Sequence, residues 1–470
     1  SPPPLPPPHP LPASFLRRML QTVAIKSTSL NFFLCVLGGW IALILYLEVL
    51  SFLLLSWSCE RQLQYTQSLH EGGRGATESS IKLLLLGDTH VLGPSRRHQL
   101  DIRWSDWGLR KAFATAVWMH SPKVVVFDGD LFDEGNIASN REFRDATRRL
   151  QRIFGLHPPP PSSSPEGQQQ QDTVVFPISP LHGEAMGKRY SVLVTPGNHD
   201  IGLGATVSEQ KMSRFEQSFG LLNGLVCLQG HAFILFNTQV LATSSIYKFR
   251  KQLMDSLTSE QLQAQVRACG DGSLVLLQHM PFYRLNDQGC GSGRDACLLN
   301  SHNVYMSGES PQYCKETKGG VTFKARDESL IEGEEEVINQ VASEELLASL
   351  RPDFVIAAHL HAPCRRQLLL PPHNQSLTDE TAEITLPTMA WRMRPDAGYA
   401  IAILRGKRRK GEEPQLLVAF CALPNEHNIL RIYAAGVMLT LIAVLAFVVR
   451  DCFKAKATCT ETEDYLEKIE

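Results

Sequence analysis

Five short apolar runs, each stopping at a polar group, constrain this chain more than any other feature. Ile81–Leu86 ends in Gly87-Asp88-Thr89-His90, and Lys123–Phe127 (KVVVF) ends in Asp128-Gly129-Asp130. The run in Ser191–Asp200 (SVLVTPGNHD) delivers Asn198, His199 and Asp200. Leu274–Leu277 (LVLL) ends in Gln278-His279, and Asp353–Ala358 (DFVIAA) in His359-Leu360-His361. An apolar run of this length reads as a strand buried on both faces. Between the first two runs, Leu109, Phe113, Ala116 and Val117 recur at i, i+4, i+7 and i+8, the stripe of an amphipathic helix. Strand, helix, strand in under 50 residues is a βαβ unit, so the two strands lie parallel and their polar endings share one sheet edge. That edge is where open α/β sheets bind ligands.

The same pattern continues along the chain. Ser139-x-x-Glu142 reads as a capping box opening a helix with Phe143, Leu150, Ile153 and Phe154 on one face. A helix through Met212, Phe215 and Phe219 stops at Gly220, Thr258–Ala268 is a capped helix, and Ser343–Leu350 is a helix closed by Pro352. His231–Phe236 (HAFILF), ITLPTMAWR and YAIAILR read as strands. The predicted fold is α/β: two sheets packed face to face with helices outside, over residues 81–428. Residues 155–188, which include PPPPSSSPEGQQQQ, read as a low-complexity insertion without packed structure, and Phe282 to Glu334 as a long loop.

Two further apolar stretches, residues 29–58 and 429–449, are long enough to cross a hydrocarbon core roughly 30 Å thick. The first is too long for a signal peptide and no small-x-small cleavage site follows it. Arg17, Arg18 and Lys26 precede the first stretch, and Arg450, Lys454 and Lys456 follow the second. The positive-inside tendency then puts a Pro-rich tail (1–28) and a second tail (450–470) in the cytosol, with the domain across the membrane behind a polar linker at 59–80. Glu48, inside the first span, needs a partner, a headgroup or water. Eight cysteines lie between the spans (Cys59, Cys227, Cys269, Cys290, Cys297, Cys314, Cys364, Cys421), an even number that an oxidising compartment permits to pair. Asn374-Gln375-Ser376 is a glycosylation sequon. A formal net charge of −2 leaves no basic excess for nucleic acid.

The five endings supply Asp88, His90, Asp130, Asn198, His279, His359 and His361. Carboxylate, amide and imidazole ligands in this mixture suit two divalent first-row metals such as Mn, Fe or Zn. A carboxylate such as Asp130 can bridge two such ions at roughly 3.5–4 Å, the geometry for in-line phosphoryl displacement. Each piece alone has a plainer explanation: an Asp after a strand caps a helix, and a lone His is a hydrogen-bonded loop residue. The ordered set, each member behind a buried strand, does not.

That order, with GDTHVLG, FDGDLFDEG and PGNHDIG, resembles the calcineurin-like metallophosphoesterase superfamily over residues 81–405. With a span on each side, the chain is similar to the membrane-anchored members that remodel glycosylphosphatidylinositol (GPI) anchors. The resemblance implies one metal on Asp88, His90, Asp130 and His361, and another on Asp130, Asn198, His279 and His359. It favours two manganese ions, with iron or zinc as alternatives. It makes His199 the donor to the leaving oxygen and Asp200 the residue that orients its ring. Asp128 and Asp133 would support the ligands or cap helices, and Arg392 or Arg394, beside Trp391, would clamp a phosphate or lie in solvent. The family's last motif is usually G-H-x-H, and Ala358 replaces that glycine here, a methyl expected to crowd the turn.

The activity implied is a phosphodiesterase that removes an ethanolamine-phosphate side branch from an anchor mannose in the secretory lumen. Its substrates would be GPI-anchored proteins at ER exit sites, the ER–Golgi intermediate compartment or the Golgi, with membrane lipid and ER-exit cargo machinery as further partners and nucleic acid excluded. The alternatives are a lumenal metal-dependent phosphomonoesterase or protein phosphatase, and a non-catalytic cargo receptor.

Overall fold

The structure is a computed structural model that describes residues 30–71, 80–157, 176–177, 180–220, 222–241, 260–284, 290, 337–370, 380–406 and 415–467. The N-terminal tail, most of the low-complexity insertion, most of the loop expected at 282–334 (Cys297 and Cys314 included) and the Asn374 sequon lie outside those residues. In chain order the elements are α1 (30–45), α2 (Ser51–Glu71), β1 (Ser80–Gly87), α3 (Gln99–His120), β2 (Val124–Asp128), α4 (Asn140–Phe154), β3 (Phe176–Pro177), β4 (Leu181–Ala185) and β5 (Lys188–Thr195). Then come α5 (Asn198–Ile201), α6 (Glu209–Phe219), β6 (Gly224–Leu228), β7 (His231–Phe236), α7 (Glu260–Cys269), β8 (Leu274–Gln278), α8 (Gln340–Leu350), β9 (Phe354–Ala357), β10 (Cys364–Leu369), β11 (Glu380–Thr385), β12 (Gly398–Arg405), β13 (Gln415–Ala422) and α9 (Glu426–Glu467). They form two units, Phe52–Glu426 and the pair of segments Ser1–Ser51 with His427–Glu470.

The larger unit is the expected pair of mixed sheets. One runs β13-β12-β1-β2-β5-β4 and the other β10-β11-β9-β8-β7-β6-β3. β1, β2 and β5 are parallel, with Gly87, Asp128 and Thr195 in register at their carboxyl ends. In the second sheet β7, β8, β9 and β11 are parallel, pairing Phe236 with Gln278 and Leu277 with Ile356. The side-chain period of two sorts each strand. Leu83, Leu85, Val124, Val126 and Leu193 share one buried cluster with Phe233, Leu235, Val275, Leu277 and Ile356, between the sheets. Ile234, Leu276 and Val355 join Leu262 of α7 and Ala342, Leu346 and Leu350 of α8 instead. Each such side chain contributes about 1.5–3 kcal/mol by leaving water. On the first sheet's outer face, Phe127 lies among Phe113 and Phe154, with ring centroids 4.9 Å apart for Phe127–Phe154.

The helix signals read from sequence behave as expected. Ser139 and Glu142 form the capping box of α4, and Ser208 caps α6, which stops at Gly220. Three segments differ from expectation. The low-complexity reading of 155–188 ran too far: Leu181–Ala185 is β4, paired antiparallel to β5 through a two-residue turn in which Met186 and Gly187 both have positive φ, the twist-matched hairpin connection. The stretch expected as a linker at 59–80 is helical to Glu71, because Phe52, Ser56, Cys59 and Leu63 give α2 a buried face. That face is fixed by a Cys59–Cys421 disulfide to β13, a strand the sequence reading did not mark. Lastly, of ITLPTMAWR only the start belongs to a strand, and β11 ends at Thr385. Two more disulfides, Cys227–Cys269 and Cys290–Cys364, complete the pairs among the described residues.

The smaller unit is a helix pair. Phe32 stacks on Phe447 with centroids 4.4 Å apart, and Trp40 Nε1 donates to Thr440 Oγ1 at 3.0 Å. Tyr433 OH donates to Glu48, in the helical turn Tyr46–Leu50 that continues α1, so α1 rises as α9 descends and the two are antiparallel. The partner that Glu48 needs is therefore a tyrosine hydroxyl. Leu30–Ser68 and Glu426–Lys454 carry windows of mean hydropathy 2.3 and 2.6, long and apolar enough by length and composition to cross a membrane.

Candidate metal centre

All seven predicted ligand residues converge beyond the carboxyl ends of β1, β2, β5, β8 and β9. The convergence depends on an unusual backbone. Nine described non-glycine residues have positive φ, and five of them are Asp88, His90, Asp130, His359 and His361. A left-handed residue immediately after a strand turns the chain back, so that Asp88 with His90, and His359 with His361, point into one cavity. L-residues adopt this conformation at a cost of about 1–2 kcal/mol each, and such strain concentrates at functional sites. Asp130 follows Gly129, whose φ is +79° and whose missing Cβ would lie 2.2 Å from His279 Nδ1. Gly197 is equally tight, since a Cβ there would sit 2.1 Å from Asp130 Oδ1.

Asp130 is the centre of the arrangement. Its Oδ2 lies 3.7 Å from His90 Nε2 and 3.4 Å from His279 Nε2. On one side, donor atoms of Asp88, His90, Asp130 and His361 all lie within 4.8 Å of one another; on the other, those of Asp130, His279 and His359 do. Asn198 Oδ1 stands 3.1 Å from His279 Nε2, in place to join the second set. His90 Nε2 faces His361 Nε2 at 3.2 Å, and His279 Nε2 faces His359 Nδ1 at 3.3 Å. Two donors sharing one ion at about 2.1 Å, with roughly a right or tetrahedral angle between them, are themselves about 3.0–3.4 Å apart.

One atom here needs such an ion: Asp88 Oδ2 is buried without a hydrogen-bond partner among the described residues. Burial, with the charges of Asp130 and Asp128, pushes the Asp88 carboxyl well up. Burial also raises Asp130, but His279 and His199 outweigh it and hold that carboxyl well down. Burial and the neighbouring His90 push His361 well down, which keeps its nitrogens available as ligands. His279 Nδ1 donates to the Asp128 carbonyl at 2.9 Å, fixing the tautomer that leaves Nε2 for a metal. The donor set fits a pair of divalent cations.

His199 N–H donates to Asp130 Oδ1 at 2.8 Å, and His199 Nδ1 donates to the Asp133 carbonyl at 2.7 Å. Burial lowers this imidazole, but Asp130 and that carbonyl raise it further, so it sits above its ordinary pKa and favours the protonated form. The role expected of Asp200 is corrected here. Its carboxylate accepts the backbone N–H groups of Leu131, Phe132 and Gly197 at 3.2, 3.1 and 2.8 Å, and the His199 ring is oriented by Asp133 instead.

Asp128 accepts Thr195 Oγ1 at 2.7 Å below the site, a supporting position as expected. The arginines expected to clamp phosphate are engaged elsewhere: Arg392 pairs with Asp101 and Glu426, and Arg394 with Asp396. The Ala358 methyl does not crowd its turn, because it packs where Gly87 has no side chain; a Cβ on Gly87 would meet it at 3.2 Å. Two supports escaped the sequence reading. Thr388 Oγ1 donates to the Asp88 carbonyl while its N–H reaches that of His361, joining the two ligand loops. The Glu134 carboxylate accepts the N–H groups of Ser95 and Arg96.

Comparison with known proteins agrees with this geometry. The calcineurin-like phosphoesterase family model matches residues 81–363. The chain is 28% identical to metallophosphoesterase 1 of Ailuropoda melanoleuca over 86% of this chain and 87% of that protein. It is 27% identical to metallophosphoesterase 1 of Rattus norvegicus over 79% of each, and 26% identical to that of Danio rerio over 78% of this chain and 82% of the relative. With the family match covering every ligand segment from Asp88 to His361, the chain belongs to the calcineurin-like phosphoesterases, and it is a metal-dependent hydrolase of phosphate esters.

Proposed function

We propose that this hydrolase is a membrane-anchored dinuclear phosphodiesterase that removes an ethanolamine-phosphate side branch from a mannose of GPI anchors, and so supports ER-to-Golgi transport of GPI-anchored proteins. The observation that carries a two-ion phosphodiesterase is the position of Asp130, shared by two sets of donors. The anchor substrate rests on the resemblance of the motifs and their flanking apolar helices. Manganese is the metal we assign.

When bound, the ions supply positive charge at phosphorus and lower the pKa of the attacking water. The chain's own residues do the rest. Asp88, His90 and His361 would hold one ion, Asn198, His279 and His359 the other, and Asp130 would serve both. As the water oxygen adds to phosphorus and the bond to the mannose oxygen breaks, His199 Nε2 gives its proton to that oxygen. The Asp133 carbonyl keeps the proton on Nδ1 and the ring in place.

A lumenal domain is supported by the three disulfides, since such bonds persist in oxidising compartments. The antiparallel pairing of α1 with α9 fits termini on one side of the bilayer. ER exit sites, the intermediate compartment and the Golgi are the compartments we assign, with cargo machinery as a partner. The full chain in detergent, loaded with Mn²⁺, is expected to release ethanolamine phosphate from a modified GPI glycan, and Asp130→Asn to abolish it. Turnover of phosphopeptide but not glycan would make it a phosphatase. Rescue of deficient cells by Asp130→Asn would make it a receptor.

A further inference from the structure

The loop between β1 and α3 is built with more care than a connection requires. Val91 N–H donates to the Leu131 carbonyl at 2.8 Å, and Asp133 N–H to the Val91 carbonyl at 3.2 Å, tying the loop to the strand-end segment of β2. Glu134, a buried acid, spends both oxygens on the loop backbone, accepting Ser95 N–H at 3.0 Å and Arg96 N–H at 2.8 Å. Gly93 makes room for that carboxylate, since a Cβ there would lie 2.2 Å from Oε2. Arg149 holds the Leu92 carbonyl at 2.9 Å. The next side chain in the loop is Arg97.

Arg97 Nε stands 3.9 Å from Asp133 Oδ2, too far for a hydrogen bond. The atom is shielded from solvent and has no hydrogen-bond partner among the described residues, while the side chain as a whole remains 31% exposed. Asp133 in turn lies 3.6 Å from His90 Nδ1, and its donor atom lies within 4.8 Å of those of His90 and His199. A guanidinium is thus held one side chain away from a metal ligand and from the proton donor. Arg392 and Arg394 are paired with carboxylates, so they do not supply this cation.

We propose that Arg97 is the phosphate-binding arginine of this site, donating its planar fork to the two non-bridging oxygens of the substrate's phosphoryl group on the side of His199. The assignment deepens the phosphodiesterase reading and rests on it. Arginine suits the task because two parallel N–H groups match two oxygens of a phosphate, and its charge opposes the negative charge that builds up there.

The test uses the full chain in nanodiscs with Mn²⁺, inorganic phosphate as calorimetric ligand and bis(p-nitrophenyl) phosphate as substrate. Arg97→Ala is expected to weaken phosphate binding at least tenfold and lower kcat/KM by about a hundredfold, with two metal ions per chain retained. Arg97→Lys should recover part of the binding, and added guanidinium ion part of the activity of Arg97→Ala. Unchanged phosphate affinity in Arg97→Ala overturns the assignment, as does loss of metal, which would make the residue a structural partner of Asp133. Wild type that binds phosphate through Arg97 yet cleaves no diester leaves this assignment standing and removes the phosphodiesterase reading.

Discussion

His199 Nδ1 donates to the carbonyl oxygen of Asp133 at 2.7 Å, while the carboxylate next to it in sequence, Asp200, is turned to three backbone amides. The two neighbours therefore have separable roles. His199→Asn is expected to lower kcat by about 10²–10⁴ with metal content and melting temperature near wild type, because in the proposed mechanism it removes the proton donor alone. Asp200→Asn is expected to do the reverse. It leaves one acceptor for three N–H groups in a fully buried place and costs about 1–3 kcal/mol, read as a lower denaturation midpoint. If Asp200→Asn lost as much kcat as His199→Asn at unchanged stability, Asp200 would be acting on the ring after all.

Gly129 is the place where metal loading can be broken at one position. Alanine there must adopt a φ of +79° and put its Cβ 2.2 Å from His279 Nδ1, so the imidazole has to move. The Asp88, His90 and His361 side does not depend on that ring for its donors. Gly129→Ala is accordingly expected to fall from two ions per chain to one, by elemental analysis, with far-UV circular dichroism unchanged. Full retention of two ions would show that His279 is not a ligand.

The clustering of these donor residues was legible in the sequence because each follows closely on a strand whose apolar run is hard to mistake. Asn198 to Asp200 show where that legibility stops. Ordered as a linear motif they suggest neighbours acting together, but they form the helical turn α5, in which successive side chains fan out by about 100°. Asp200 then faces back to its own N-cap, Gly197, and to the segment after Asp130. Arg392 failed for a different reason: its partners Asp101 and Glu426 are remote in sequence, and only the fold brings them to it. β4 was hidden by the Pro- and Gln-rich stretch before it, although Met186-Gly187 is a turn signal in hindsight. The burial of α2 depends on Cys421, more than 300 residues away, and no local pattern announces that pairing.

Glu60 supplies a pH dependence away from the metal centre. On α2 its carboxylate faces His120 Nδ1 at 2.6 Å and accepts Lys82 Nζ at 2.8 Å, while His120 Nε2 lies 3.0 Å from the Tyr399 hydroxyl. Partial burial raises the carboxyl, but the hydrogen bonds from His120 and Lys82 and their charges outweigh it and bring the pKa from 4.5 to about 2. A carboxyl depressed by folding binds its proton more readily in the unfolded chain. Its stabilisation is therefore complete above about pH 4.5 and is lost as pH falls toward 2. Solvent screening of a partly exposed pair reduces the contribution to roughly 1 kcal/mol. Glu60→Gln should unfold at lower denaturant than wild type at pH 7, and the difference should shrink steadily between pH 4.5 and 2. A gap that stays constant down to pH 2 would mean that Glu60 contributes through packing and not through its charge.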